Sequence, residues 1–217
     1  MITVHSILEF KILHDTGKVL CFIGNSHINK EMFRYFKQTR ECEQILYEEI
    51  LTKDQNWIND RQFIVTTASI YFRKLVVDGL SHFTPHYFSI CGMQNHIGLD
   101  VVIGHGVLIH SFNTILDGVV VGDHTMLTTH SVFSHHSVIK DFCHIGSHSQ
   151  ILVATVGTGC YIAARASIVG TIDSPTIVAD YCNFILGSMV TKTIESAGTY
   201  YGNRCLNHVT SLDKKID

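Results

Sequence analysis

Stepping by six from Ile97, the chain reads Ile97, Ile103, Ile109, Ile115, Val121, Leu127, Phe133, Ile139, Ile145 and Ile151, all apolar. If roughly a third of positions are apolar by chance, ten in succession has odds on the order of one in 10⁵, so the period marks a structural repeat. Two positions before each stands a small or medium residue: Asn95, Val101, Val107, Asn113, Val119, Thr125, Ser131, Ser137, Cys143 and Ser149. Gly follows the large apolar residue at 98, 104, 122 and 146.

A period of six suits neither an amphipathic helix nor an alternating strand. It suits a three-sided parallel β-helix, one hexad per side and three hexads per coil. The large side chain fills the axis, the small one fits a corner, and each coil buries its interior by stacking on the next. Known hexapeptide prisms are left-handed, an exception to the right-handed crossover rule, although the spacing alone carries no handedness. The register slips by one at Val156, and Gly170 to Pro175 reads as a loop extruded from a corner. The stretch Ile177 to Val190 returns to a weaker repeat. We assign residues 89–195 to the β-helix and 196–217 to a C-terminal cap and tail, which would cover an otherwise open sheet edge.

Residues 1–88 follow another pattern. Lys18 to Ile23 form a largely apolar run that leads into Gly24-Asn25-Ser26-His27, after which Met32, Phe33 and Phe36 recur at helical spacing. Short strands are expected at Gln44 to Tyr47 and Phe63 to Val65, and a helix from Ile70 to Leu80. Alternating strands and helices imply a small Rossmann-like α/β domain with a parallel sheet, whose ligands bind at the carboxyl ends of the strands. Gly24, Asn25, Ser26, His27 and Thr66 occupy such ends, although one Gly is no dinucleotide fingerprint. Residues 1–17 suggest only an extra strand or an ordered arm.

Composition narrows the partners. Of 217 residues, 16 are basic and 19 acidic, for a net charge of −3, so no basic footprint for nucleic acid or a membrane surface is present. No apolar run long enough to insert in a membrane and no secretory leader is read, and seven Cys without close pairs suit reduced thiols in a cytoplasm. The unusual feature is 15 His, nine of them between His96 and His148.

The chain from about Lys18 to Arg204 resembles the bacterial nucleotide-sugar N-acetyltransferases that act on 4-amino-4,6-dideoxy sugars, with the sialic acid O-acetyltransferases as close relatives. The best local match is Val132-Phe133-Ser134-His135-His136-Ser137-Val138-Ile139-Lys140-Asp141-Phe142-Cys143-His144-Ile145-Gly146. The resemblance implies a trimer with sites between prisms, His135 as general base and His144 approaching the acetyl thioester of acetyl-CoA. It places the cofactor arm along Ala163-Ala164 and Leu186-Gly187, the nucleotide at Asn25, Ser26 and His27, and a base-contacting acidic pair at Glu48-Glu49. The family's base is usually followed by Glu or Asp; here His136 stands there as the candidate partner, and Asp117 and Asp123, one coil back, are candidate substitutes. Gly202-Asn203-Arg204 is similar to the family's closing segment but lacks its Pro.

The implied reaction is direct transfer, without an acyl-enzyme, from acetyl-CoA to the amine of a UDP- or dTDP-linked amino sugar. Alternatives in the sequence are O-acetylation of a sugar or sialic acid, a trimeric metal-dependent hydratase using His at spacings 130/135 and 144/148, and a non-catalytic scaffold. No resident metal is expected in the favoured reading. His124, His130, His136 and His148 also fit solvated or subunit-seam positions.

Overall fold

The computed structural model describes residues 10–208. From Ser89 onward the chain winds through three parallel sheets in rotation. Leu108–Ile109, Met126–Leu127, His144–Ile145, Tyr161–Ile162 and Asn183–Phe184 stack on a first face. Val102–Ile103, Val120–Val121, Val138–Ile139, Ala154–Val156 and Thr176–Val178 form the second. His96–Ile97, Thr114–Ile115, Val132–Phe133, Gln150–Leu152, Ser167–Val169 and Met189–Val190 form the third. Paired residues lie 18 apart (Val120↔Val138), then 17 apart at the slip (Val138↔Thr155), then 22 apart across the extruded loop (Thr155↔Ile177). The loop resets the phase: Val178, 2% exposed, fills the axis, whereas Ile177, expected to restart the repeat, faces outward at 54%.

Large side chains from Ile109 to Ile168 fill the axis and are fully buried. The small residues two places earlier are often polar because their oxygens serve the corners. Asn95 Oδ1 accepts from Asn113 N and Asn113 Oδ1 from Ser131 N, while Thr125 Oγ1 donates to the Lys140 carbonyl and accepts from Cys143 N. Buried backbone groups are thereby paired where the ladders break. One residue before each small residue the corner takes a left-handed backbone. Asp100, Gly106, Phe112, Gly118, His124, His130, His136, Phe142 and His148 have φ between 54° and 70°. Four of the clustered His are therefore corner residues, a conformation in which His is enriched among non-glycines. Their rings stack from coil to coil: Phe112 on His130 at 5.0 Å, His130 on His148 at 4.9 Å, and His124 on Phe142 at 5.0 Å.

The repeated Gly has a steric cause. A Cβ at Gly98, Gly104 or Gly122 would meet the Oδ1 of Asp117, Asp123 or Asp141 at 2.2–2.4 Å. Those oxygens accept the backbone N–H of Leu99, His105 and Asp123 at 2.7–2.8 Å. Asp117 and Asp123, considered above as substitutes for the missing acidic partner of His135, thus direct carboxylate oxygens at the coil below.

Before the prism, β1 (Phe10–Leu13) pairs antiparallel with β5 (Ser89–Gly92), the first strand of the first face, so this part of the N-terminal stretch is an edge strand of the β-helix. Between them β2 (Val19–Ile23), β3 (Cys42–Ile45) and β4 (Arg61–Val65) form a parallel sheet in the order β3-β2-β4. The helices are α1 (His27–Phe36), α2 (Tyr47–Ile50), α3 (Gln55–Asn59) and α4 (Ile70–Leu80). The sheet is covered on both sides, hence the unbroken apolar runs Val19–Ile23 in β2 and Phe63–Val65 in β4. Cys21, Ile23, Phe63 and Val65 meet Ile50, Ile58, Val76 and Leu80. Leu20, Phe22 and Ile64 meet Met32 and Phe36 of α1 together with Ile90, Leu108 and Met126 of the first prism face. At the other end Gly198–Tyr201 joins the first face in parallel and Arg204–His208 closes it antiparallel.

Candidate functional site

A cleft of roughly 540 Å³ opens at the carboxyl ends of β2, β3 and β4. Gly24, Asn25, Ser26, Leu46, Tyr47, Glu48, Thr67, Ser69 and Phe72 line it. Gly24 makes the turn at φ +111°. Ser26 Oγ caps α1 by accepting from Asn29 N at 3.1 Å and donates to the Thr66 carbonyl at 2.6 Å. Gln44 Nε2 donates to the Gly24 carbonyl at 2.9 Å. The loop is thus tied to both neighbouring strands, with the free N–H groups and positive dipole end of α1 beside it.

Of the residues expected here, Gly24, Asn25, Ser26 and Glu48 line the cleft. His27 is the exposed first residue of α1, and Thr66 is buried behind the loop. Glu49 turns back to accept from Leu46 N at 3.4 Å, a helix-start contact. Leu46, Tyr47, Thr67, Ser69 and Phe72 were not anticipated. Ser69 signals its place only as the cap of α4, accepting from Phe72 N.

His144 begins a first-face strand and points outward in the row Ile90, Leu108, Met126, His144, Tyr161. The first three lie beneath the N-terminal sheet, and His144 follows them, 7% exposed and stacked on Tyr161 at 5.0 Å. Its Nδ1 has no partner among the described residues. Burial, then the Arg73 charge and His110, lower its pKa to about 4, so the ring is neutral near pH 7. Ala163 and Ala164 leave the same face at the next corner, and Gly187 N donates to the Ala164 carbonyl at 3.1 Å. Leu186 is 65% exposed, and open space surrounds Gly187.

His135 and His136 are exposed on the edge where the third face passes to the second, opposite the first face. Their ring centroids are 6.4 Å apart, and His136 N donates to the Asp117 carbonyl at 3.4 Å. One chain therefore does not bring His135 to His144: the second face stands between them. Its outward row is Val102, Val120, Val138, Thr155 and Ile177, with Val102 and Ile177 more than half exposed. Among the described residues, no three His, Cys, Asp or Glu converge as a metal-binding group.

Arg73 of α4 joins cleft and prism. It is 1% exposed, and its guanidinium donates to the carbonyls of Thr67, His124, Phe142 and Cys143. Burial lowers its pKa to about 10, which leaves it charged at neutral pH.

No family model and no curated protein matches the sequence. Solved structures do match. The acetyltransferase domain of PglB from Neisseria gonorrhoeae superposes with a TM-score of 0.74 at 15% identity, over 88% of this chain and 99% of that one. WeeI from Acinetobacter baumannii gives 0.69 at 20% identity, over 88% and 99%. A histidine-to-alanine mutant of GDP-perosamine N-acetyl transferase from Caulobacter crescentus, in complex with CoA and GDP-perosamine, gives 0.73 at 13% identity, over 90% and 98%. At these identities the likeness is one of fold.

Proposed function

We propose that this chain is an acetyl-CoA-dependent N-acetyltransferase acting, as a homotrimer, on the amino group of a nucleotide-linked 4-amino-4,6-dideoxy sugar. The observation that carries the reading is the cleft at the strand ends, which abuts the prism corner leading into His144 through Arg73. The fold likeness to an acetyltransferase domain and to a GDP-perosamine N-acetyl transferase supports it. The cleft suits a nucleoside diphosphate: N–H groups at a helix start for the phosphates, and Tyr47, Phe72 and Glu48 for a base. Uridine and thymidine were expected; the GDP-linked sugar bound by the Caulobacter enzyme adds guanosine.

The apolar second face divides His135 from His144, so a shared site takes His135 from one protomer and His144 from its neighbour. Burying that face between subunits places the two edges in one groove. His135, exposed and able to accept a proton, removes it from the sugar nitrogen as the nitrogen attacks the thioester carbonyl. The C–S bond then breaks, and the proton passes to the CoA thiolate. Neutral His144 retains one N–H to donate to the developing oxyanion. Ala163-Ala164 and Leu186-Gly187 offer small or open backbone to the cofactor arm. No helix among the described residues is long and apolar enough to cross a membrane. Acetyl-CoA use would be expected in the cytoplasm.

His135→Ala tests the assignment. General-base loss is expected to lower kcat by about 10² to 10⁴, with acetyl-CoA binding by calorimetry unchanged. Turnover near that of the parent protein would reject the role.

A further inference from the structure

We infer that Arg73 is a positioning residue that couples the nucleotide cleft to the strand carrying His144. The inference rests on the functional reading above for its enzymatic consequence, but its geometry stands apart from it. Arg73 Nη1 donates to the carbonyl of Thr67, a cleft residue. Nη2 donates to the carbonyls of Phe142 and Cys143 at 3.1 and 2.9 Å, and Nε to that of His124 at 3.0 Å. Cys143 immediately precedes His144, and the Cys143 carbonyl also accepts from Met126 N, so the guanidinium holds a node of the first-face ladder. One rigid fork thus spans a cleft loop and two adjacent coils.

Adhesion alone does not account for it. The N-terminal sheet and the first face already share an apolar interface of Leu20, Phe22, Ile64, Met32, Ile90, Leu108 and Met126. Arg73 makes no salt bridge among the described residues, and a buried unpaired charge is costly compared with an apolar side chain of similar volume. A planar guanidinium does what an apolar side chain does not: it fixes several carbonyls relative to one another. The other side of the link is also tied, because Ser26 Oγ holds the Thr66 carbonyl one residue from Thr67. The resulting path runs from Ser26 through Thr66 and Thr67 to Arg73, Cys143 and His144. The same charge also lowers the pKa of the His144 ring, after burial.

The test reads the His144 ring directly. Its imidazole resonances are assigned by their loss in His144→Phe. Ser26→Ala releases the Thr66 carbonyl without any ligand, and UDP and GDP serve as separate cleft probes. With Arg73 present, Ser26→Ala shifts the His144 resonances. With Arg73→Lys, which keeps the charge but not the fork, the same substitution leaves them in place. A matching shift in both backgrounds, or none with Arg73 present, overturns the inference; the second outcome needs no Arg73 variant to fold. In turnover, Arg73→Lys is expected to lower kcat by roughly 10- to 100-fold, the scale of an approximately 1 Å misplacement, with KM for acetyl-CoA unchanged. A rise in KM with kcat intact contradicts positioning. Failure of the parent protein to bind either nucleotide, or to transfer acetyl, counts against the proposed function while the Ser26→Ala comparison still decides the coupling.

Discussion

Two buried imidazoles are expected to make this protein acid-labile in a defined window. His124 and His144 are 6% and 7% exposed, and each has its pKa lowered from 6.5 to about 4, in both cases chiefly by burial. The unfolded chain therefore binds two more protons than the folded one between these values. Stability is complete above pH 6.5 and is lost as the pH falls towards 4. Each group accounts for about 3 kcal/mol over the full span, and each excess proton contributes a slope of about 1.4 kcal/mol per pH unit. Asp15 acts elsewhere: its bond to Arg40 lowers its pKa to about 2, so its contribution is lost only below about 3.8. The assay is the urea unfolding free energy measured from pH 7.5 to 4.5 at one protein concentration. His124→Asn keeps the corner conformation, which Asn tolerates, and His144→Phe keeps a ring against Tyr161. Each should shift the curve by a constant and also reduce its acid slope by about one proton's worth. An unchanged slope in both variants would refute the burial argument.

Other expectations follow from single contacts. Phe133→Ala, which empties a fully buried axial position, should cost about 3–5 kcal/mol in chemical unfolding. Gly122→Ala places a Cβ 2.4 Å from Asp141 Oδ1 and 2.7 Å from Asp141 N, so a loss of about 1–3 kcal/mol is expected by thermal melting. Adding Asp141→Ala should recover only part of it, because the backbone contact remains. Val138→Glu, in the middle of the apolar second face, should give a folded monomer by light scattering and abolish turnover; a trimer of normal activity would refute the proposed interface.

The axis was legible because it accepts one large apolar side chain per side, and that demand prints a strict six-residue signal. The five-residue step to Val156 was equally plain. The phase after the extruded loop was not: Ile177 and Val178 are both β-branched, and only the length of the excursion decides which turns inward. The His surplus carried two meanings at once. His124, His130, His136 and His148 all occupy left-handed corners, a backbone requirement that resembles chemistry when read as composition. The opposition of His135 and His144 was countable, since nine residues is half of an 18-residue coil. The first cleft loop was visible as a strand running into Gly24, but Tyr47 and Thr67 arrive just past other strand ends and Phe72 from the first turn of α4. Arg73 gave no signal, because a basic residue within a helical pattern ordinarily faces water.

Incubation of the purified chain with acetyl-CoA and a panel of nucleotide-linked 4-amino-4,6-dideoxy sugars, read by mass spectrometry, addresses the central claim most directly. One sugar should gain the mass of a single acetyl group, stable to hydroxylamine as an amide is, with free CoA released in equal amount. A product that hydroxylamine cleaves would point to a hydroxyl acceptor, and no gain on any amino sugar would contradict the account.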